Sequence, residues 1–442
     1  MYLTTKVLQT EKHHEVDLNI LAHLCYHSAR LYNVGLYSVR QHYFNTKSYL
    51  SYFTNSSVCN KNENYTILLS DASNQILRLV DRDMKSFFKL IALKKAGKYY
   101  KEVKLPKYKK PESLSTFIIY GRSCHIQKDG KVAIGLTKKF RELYGIEDRK
   151  ILFTIPKNIQ NVSEFKEIRI IPQFEGKQFS IEFVYESNKQ LRKAEGDGYM
   201  SIDLGVSNLA SCTIFSNGDA QQFIVDGRRL KSINHYYNKK AAMLKSVYAK
   251  NKNISSSNTK RMMRLMNGRH NRINDYFNRV AKILVNKCLD NGVTTLVIGY
   301  NKEQKQGINI GKVNSQNMVM IPFYKLRQKL QYKCELHGIS YCPQEESYTS
   351  KASCLDDDAI PVYGETVTAL FSGKRIHRGL YRASDGTVLN ADINGSINIL
   401  KKYFKERKSN VVFTTDDVRV LLNAPCERLY VFPKTHKSLA CG

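Results

Sequence analysis

The chain has 442 residues, 42% hydrophobic and 25% charged, which is enough for two or three domains, each with its own core. Its 70 Lys and Arg against 39 Asp and Glu leave a net charge of +31, a field that attracts polyanions and favours a nucleic-acid partner. No run reaches the roughly 20 apolar residues of a membrane span, and no concentrated polybasic amphipathic helix points to a membrane surface. The opening MYLTTKVLQTEKHHEVD has no apolar centre of a signal peptide. Ten scattered cysteines without a Cys-x-x-Cys pair read as reduced thiols of a cytosolic protein. The 28 Tyr and 19 Phe add surfaces on which bases stack.

MYLTTKVLQ alternates as an opening strand. Apolar spacing then turns helical from Leu18 to about Tyr43, and again from about Asp71 to Ala96. The polar stretch between them, SYFTNSSVCNKNENYT, reads as loop. After KKAGKYYKEVKLPKYKKPES come short strands with hairpin turns at KDG and FEGK. SNKQLRKAEGDG, residues 187–198, is a polar linker and the expected domain boundary. The second half opens with a strand, a turn at Ser216-Asn217-Gly218 and another strand. Two long basic amphipathic helices follow, split by KNISSSN. TTLVIGY is a strand, IPFYKLRQKLQYKCELHG a helix, ISYC a strand and NADINGSINILKKYFKER a final helix. The tail after about residue 409 has no clear period and receives no structure.

Two acids stand out. Asp203 lies inside the apolar strand YMSIDLG, where an unpaired carboxylate is costly and calls for a cation or metal, although lone strand acids also serve as caps. Asp392 lies at the start of the last helix, where Asp is also a common N-cap.

Taken in order, SIDLGVSNLASC, LVIGYNKEQKQ, IPFYKLRQKLQYKCELHGI, EESYTSKAS and LNADINGSINIL resemble the TnpB (OrfB) family. These are RNA-guided nucleases of insertion sequences, related to type V CRISPR effectors and Fanzor proteins. The resemblance covers nearly the whole length. It implies a multidomain α/β chain: a β-rich wedge-type barrel over residues 1–15 and 97–190, with a helical bundle (the recognition lobe) inserted at 16–96. A RuvC (RNase H-like) nuclease domain follows over 197–408, and a tail over 409–442. It further implies target cleavage with two Mg²⁺ ions (Mn²⁺ as a substitute), a transposon-derived guide RNA, double- and single-stranded target DNA, and a cytoplasmic, nucleoid-associated location. A nuclease-dead RNA-guided repressor is the alternative reading, and a DNA-joining transposase a more distant one.

The family's second carboxylate follows the apolar run LVI, where this chain has Gly299. Some members carry that acid on the neighbouring strand before a Thr-Ser motif, and here EESYTSK supplies Glu345 and Glu346. Adjacent strand residues face opposite ways, so one of the two enters the site. The resemblance favours Glu346 beside Asp203 and Asp392 as catalytic metal ligands, with Glu345 the alternative. Two solvated loop acids and a dead site is the other outcome.

The family's paired cysteines before the last acid are absent. Residues 351–389 offer Cys354 and His377 against the four ligands that structural zinc needs, so a reduced hairpin without zinc is expected. Asp356, Asp357 and Asp358 read as a solvated turn. Lys374 and Arg375 lie on the basic hairpin, and Lys239, Lys240, Lys260, Arg261, Arg264, Arg269 and Arg272 on the long helices. Such runs are often only solvated faces; the net charge favours phosphate contacts.

Overall fold

The computed structural model describes residues 2–187, 190–216, 218–249, 259–301, 311–356, 358–362, 370–377, 379–407 and 414–432. The expected loop 252–258, the basic run 302–306 and Asp357 lie outside these residues. Contacts divide the chain into two compact units, residues 1–189 and 190–442. No helix among the described residues is long and apolar enough to cross a membrane.

The first unit begins with β1 (Tyr2–Thr10) and the helices α1 (Leu18–Thr46), α2 (Tyr52–Cys59), α3 (Glu63–Thr66) and α4 (Ser70–Lys95). It continues with β2 (Phe117–Tyr120), β3 (Cys124–Ile126), β4 (Lys131–Gly135), α5 (Lys138–Tyr144), β5 (Lys150–Thr154), β6 (Phe165–Gln173) and β7 (Gln178–Glu186). The strands form a four-stranded sheet, β1-β7-β6-β2, and a separate three-stranded sheet, β3-β4-β5. Asp17 caps α1 by accepting from Asn19 N–H, and the helix then buries Leu21, Leu24, Leu31 and Leu36 against Ile76, Leu77 and Val80 of α4.

The loop expected between those helices is instead α2 and α3. Its polar residues act as caps: the Ser51 side chain accepts from Thr54 N–H and that of Asn62 from Asn64 N–H. Helices this short carry too few apolar residues to show a period. The same holds for α5, which Thr137 caps and Gly145 ends in the left-handed region.

The second unit holds β8 (Gly198–Asp203), β9 (Asn208–Ser216), β10 (Asp219–Asp226), α6 (Arg228–Ala249), α7 (Lys260–Asp290) and β11 (Val293–Tyr300). Then come α8 (Lys312–Met320), α9 (Phe323–His337), β12 (Ser340–Glu345), β13 (Lys374–His377), β14 (Leu380–Arg382), β15 (Val388–Asn390), α10 (Ala391–Glu406), α11 (Thr415–Asn423) and β16 (Cys426–Leu429). Six strands form one sheet in the order β12-β11-β8-β9-β10-β16, and β13-β14-β15 form a small antiparallel one.

Alternation along β8 and β11 decides what covers each face. Met200, Ile202, Leu296 and Ile298 point toward α7 and α9, burying Phe277, Leu284, Leu326 and Leu330. Val297 points the other way, toward Ile399, Leu400 and Tyr403 of α10. Ser201 also meets α10, its Oγ 2.9 Å from Ser396 Oγ.

The tail contradicts the expectation that it has no structure. A capping box of Thr414 and Asp417 starts α11, and Val418 and Leu421 bury against Ile224, Tyr381 and Ile393. β16 then pairs parallel with β10. The period was hidden because only two residues of α11 are buried and β16 is four residues long.

Candidate active site

β8, β11 and β12 run parallel and end together, which opens a crevice beyond their carboxyl ends. Asp203 is the last residue of β8. Beside it, Ile202 pairs with Ile298, so Gly299 follows at the same level on β11. Gly299 in turn pairs with Gln344 and Tyr300 with Glu345, placing Glu346 just past the end of β12.

A Cβ built on Gly299 would clash with Glu346 Oε2 and lie 2.7 Å from Ile399 Cδ1. The glycine therefore vacates the space that the glutamate occupies. Asp203 and Glu346 line one open pocket of about 430 Å³ with Asn301 and the turn of residues 347–351. Tyr348 in that turn has φ 65°, a left-handed conformation that costs a non-glycine residue on the order of 1 kcal/mol. Thr349 Oγ1 steadies the turn by donating to Glu346 O at 2.9 Å.

Glu345 faces away. Its carboxylate pairs with the Lys402 ammonium, whose side chain is only 3% exposed, and accepts from Ser347 N–H at 2.9 Å. Neither glutamate is the solvated loop acid considered above. Burial alone would raise the Glu345 pKa, but the hydrogen bonds from Lys402 and Ser347 outweigh it and hold the group below its ordinary value. Glu346 goes the other way. Burial, then the charges of Asp203 and Glu345, push it up to about 8 against the opposing pull of Arg327. Burial and the Asp392 charge likewise push Asp203 up to about 7, with Arg375 opposing.

Asp392 sits in the first turn of α10, where the cap is not Asp392 but Asn390, whose side chain accepts from Asp392 N–H and Ile393 N–H. The Asp392 side chain is thus released from capping. Its Oδ2 accepts from Asn208 Nδ2 at 2.6 Å and its Oδ1 from Arg375 Nη2 at 3.2 Å. One turn later, a Cβ on Gly395 would approach Asp203 Oδ2 to 2.8 Å. A glycine inside a helix costs roughly 1 kcal/mol against alanine, which is the sequence signal that would have flagged it. Asn208 carries no comparable signal. Among the described residues, no three of His, Cys, Asp or Glu stand close enough together to hold a metal ion as the side chains are placed.

The basic residues divide by what they touch. Lys239, Lys240, Lys260, Arg261, Arg264, Arg272 and Lys374 are exposed. Arg269 is a structural link instead: Nε donates to Asn234 Oδ1 and Nη2 to Met320 O, both at 2.8 Å. Arg375 is engaged with Asp392. Asp356 and Asp358 are not a solvated turn. They accept from Ser384 N–H at 3.0 Å and from Ser353 N–H at 2.7 Å, and so pin the hairpin segment. Cys354 is buried, with its N–H donating to Asn394 Oδ1 at 2.9 Å, and His377 is exposed on β13.

Residues 182–305 match the family model OrfB_IS605, described as a probable transposase, and residues 323–399 match the Cas12f1-like TNB domain. Between them these segments contain Asp203, Gly299, both glutamates and Asp392. The chain thus carries an OrfB_IS605, TnpB-like segment followed by a Cas12f1-like TNB segment. A TnpB-like protein, ORF457 of Acidianus two-tailed virus, is 25% identical over 428 residues, covering 89% of this chain and 86% of the viral one. The solved Cas12f1–sgRNA–target DNA complex contains a protein of similar fold, with a TM-score of 0.51 at 15% identity over 86% of this chain and 82% of that one. The chain accordingly has a mixed α/β multidomain fold similar to that of the Cas12f1 protein.

Proposed function

We propose that this TnpB-like chain is an RNA-guided DNA endonuclease of a mobile element, and that Asp203, Glu346 and Asp392 are its catalytic acids. In this reading the second unit is a RuvC-type, RNase H-like domain and the first a wedge-type barrel with a helical insert. The observation that carries the proposal is Glu346 seated over Gly299 in the pocket of Asp203. A chain freed from nuclease work has no reason to keep one half-buried acid beside another, with the backbone cleared to admit it.

The donor set suits Mg²⁺, or Mn²⁺ in its place: hard carboxylate oxygens whose charged forms burial and mutual repulsion disfavour. Asp203, Glu346 and Asp392 would hold the metal, which when bound activates water and stabilises the leaving oxygen. The protein's own part is to hold Asp203 against Gly395, seat Glu346 over Gly299 and orient Asp392 through Asn208 and Arg375. The exposed cations of α6 and α7, with Lys374, supply contacts to the phosphates of a guide–target duplex, whose sequence base pairing reads.

The test is expression with native flanking DNA, sequencing of copurified RNA, and cleavage of a matching plasmid in Mg²⁺. Glu346→Ala is expected to abolish cutting and retain RNA and target binding. A wild-type protein that binds guide and target but never cuts would establish the repressor instead. Protein that carries no RNA removes the guided reading altogether.

A further inference from the structure

Asn208 opens β9 between two groups of opposite hydrogen-bonding character. Its Nδ2 donates to Asp392 Oδ2 at 2.6 Å, while its Oδ1 accepts from Arg428 Nη1 at 2.9 Å. A carboxylate only accepts and a guanidinium only donates, so the amide has one self-consistent orientation. Turned over, it would set oxygen against oxygen and N–H against N–H. Arg428 and Asp392 thus select the same orientation of the Asn208 amide, and Arg428 holds its far end in place.

Arg428 itself is well placed to do this. It lies on β16, in register with Ile224 of β10, and its Nη1 is also 3.6 Å from Asp226 Oδ1. Asp226 pairs across the sheet with Asn208. Buried Val418 and Leu421 of α11 anchor the approach to this strand, and Gln222 Nε2 donates to Leu421 O. The C-terminal segment is thereby built into the sheet that carries Asp203.

The structure assigns Arg428, through Asn208, as a positioning residue for Asp392. This assignment rests on the nuclease reading above and deepens it. Asp392 is held at one oxygen by a cation, Arg375, and at the other by a neutral amide. The amide fixes the direction of the carboxylate without neutralising it, leaving its charge for an incoming cation. Contacts of this kind behind a ligand are typically worth about 10–100-fold in metal affinity or activity.

The experiment uses the full chain with its RNA and compares Arg428→Ala, Arg428→Lys, Asn208→Ala and the double variant Asn208→Ala/Arg428→Ala. Glu427→Gln, on the same strand as Arg428, removes only the ion pair with Lys287 of α7 and is the control for β16 itself. Each is measured by single-turnover cleavage at saturating target, by Mn²⁺ binding in an electron paramagnetic resonance titration, and by thermal unfolding. Arg428→Ala should slow cleavage and raise the Mn²⁺ half-saturation each by about 10-fold or more. Target affinity should stay within about twofold, since contacts made before the chemistry are untouched. Arg428→Lys, still a pure donor, should recover most of both losses. The double variant should be no worse than Asn208→Ala alone, because one contact acts through the other. Additive losses, a full loss in Glu427→Gln, or wild-type Mn²⁺ binding by Arg428→Ala would each overturn the assignment. Wild-type protein that never cuts would sink the nuclease reading, while the Mn²⁺ titration would still decide the Arg428 linkage.

Discussion

Replacing Glu345 by alanine should damage stability rather than chemistry. The Lys402 ammonium is 3% exposed and has two partners, the Glu345 carboxylate and Pro361 O at 3.1 Å. Without Glu345 it keeps one neutral carbonyl. Breaking one side of a buried pair costs about 3–5 kcal/mol, because the remaining charge is left desolvated. The Glu345 side chain is 30% exposed, so water relieves part of the penalty and the low end, about 3 kcal/mol, applies. In a unit of this size about 1 kcal/mol moves Tm by 2–4 °C, so Glu345→Ala should melt roughly 6–12 °C below wild type. Adding Lys402→Met should restore most of that loss by removing the stranded charge. Differential scanning calorimetry measures the shift, and cleavage per folded molecule at a low temperature should stay within a few-fold of wild type. A Tm within about 1 °C of wild type would refute the argument that Glu345 neutralises a buried lysine. A folded Glu345→Ala protein that cannot cut would give Glu345 the catalytic place proposed for Glu346.

Gly299→Ala puts a methyl group inside van der Waals contact of Glu346 Oε2, so the carboxyl must move by about an ångström, which is commonly worth about 100-fold in rate. Single-turnover cleavage with unchanged target binding would bear this out, and an undiminished rate would show that the glutamate's position is immaterial. The raised pKa values of Asp203, about 7, and Glu346, about 8, make a thermal prediction for metal-free protein. Between about pH 4 and those values the folded chain binds more protons than the unfolded one, so stability must fall as pH rises across that window. Glu345, with its lowered pKa, contributes stability that is lost only below the ordinary glutamate range, outside the window. Melting curves from pH 5 to 8 in EDTA should therefore slope downward more than those of Asp203→Asn/Glu346→Gln, and Mg²⁺ should flatten the wild-type slope; equal slopes in both proteins would contradict the cause given for the shifts.

Much of this was legible in the sequence, for reasons tied to length and period. α1, α4 and α7 bury a full stripe of apolar residues, and the strands carrying Asp203 and Gly299 are short apolar runs with clear ends. What escaped was of two kinds. α2, α5, α11 and β16 are too short for a period and are stabilised by caps and by pairing with distant residues. Asn208, Lys402 and Arg428 are ordinary polar residues whose roles come from partners 184, 57 and 220 positions away. No local pattern encodes such a pairing. Arg269 and Arg375 mark the opposite error: a charge run read as one surface splits, in three dimensions, into exposed cations and cations already engaged.

On the proposed assignment of Glu346, the geometry offers a route by which the carboxylate leaves the strand after Leu-Val-Ile and still reaches the site. β11 and β12 are parallel neighbours, with Tyr300 opposite Glu345, so the residue following β12 emerges close to the end of β11. A glutamate side chain spans the remaining gap, provided the donor strand has no Cβ there; Gly299 meets that condition. The preceding residue, Glu345, is half-buried and needs an internal partner of its own, which Lys402 supplies from α10. Moving the acid thus couples three positions: a glycine on one strand, the displaced glutamate beyond the next, and a lysine on the helix behind. Placing a glutamate at position 299 alone would crowd two carboxylates into space that holds one. Only the paired change, Gly299→Glu with Glu346→Gly, keeps the number of acids constant. Cutting by that double variant, with neither single variant active, would show that the pocket fixes where the carboxylate must be and leaves open which strand delivers it.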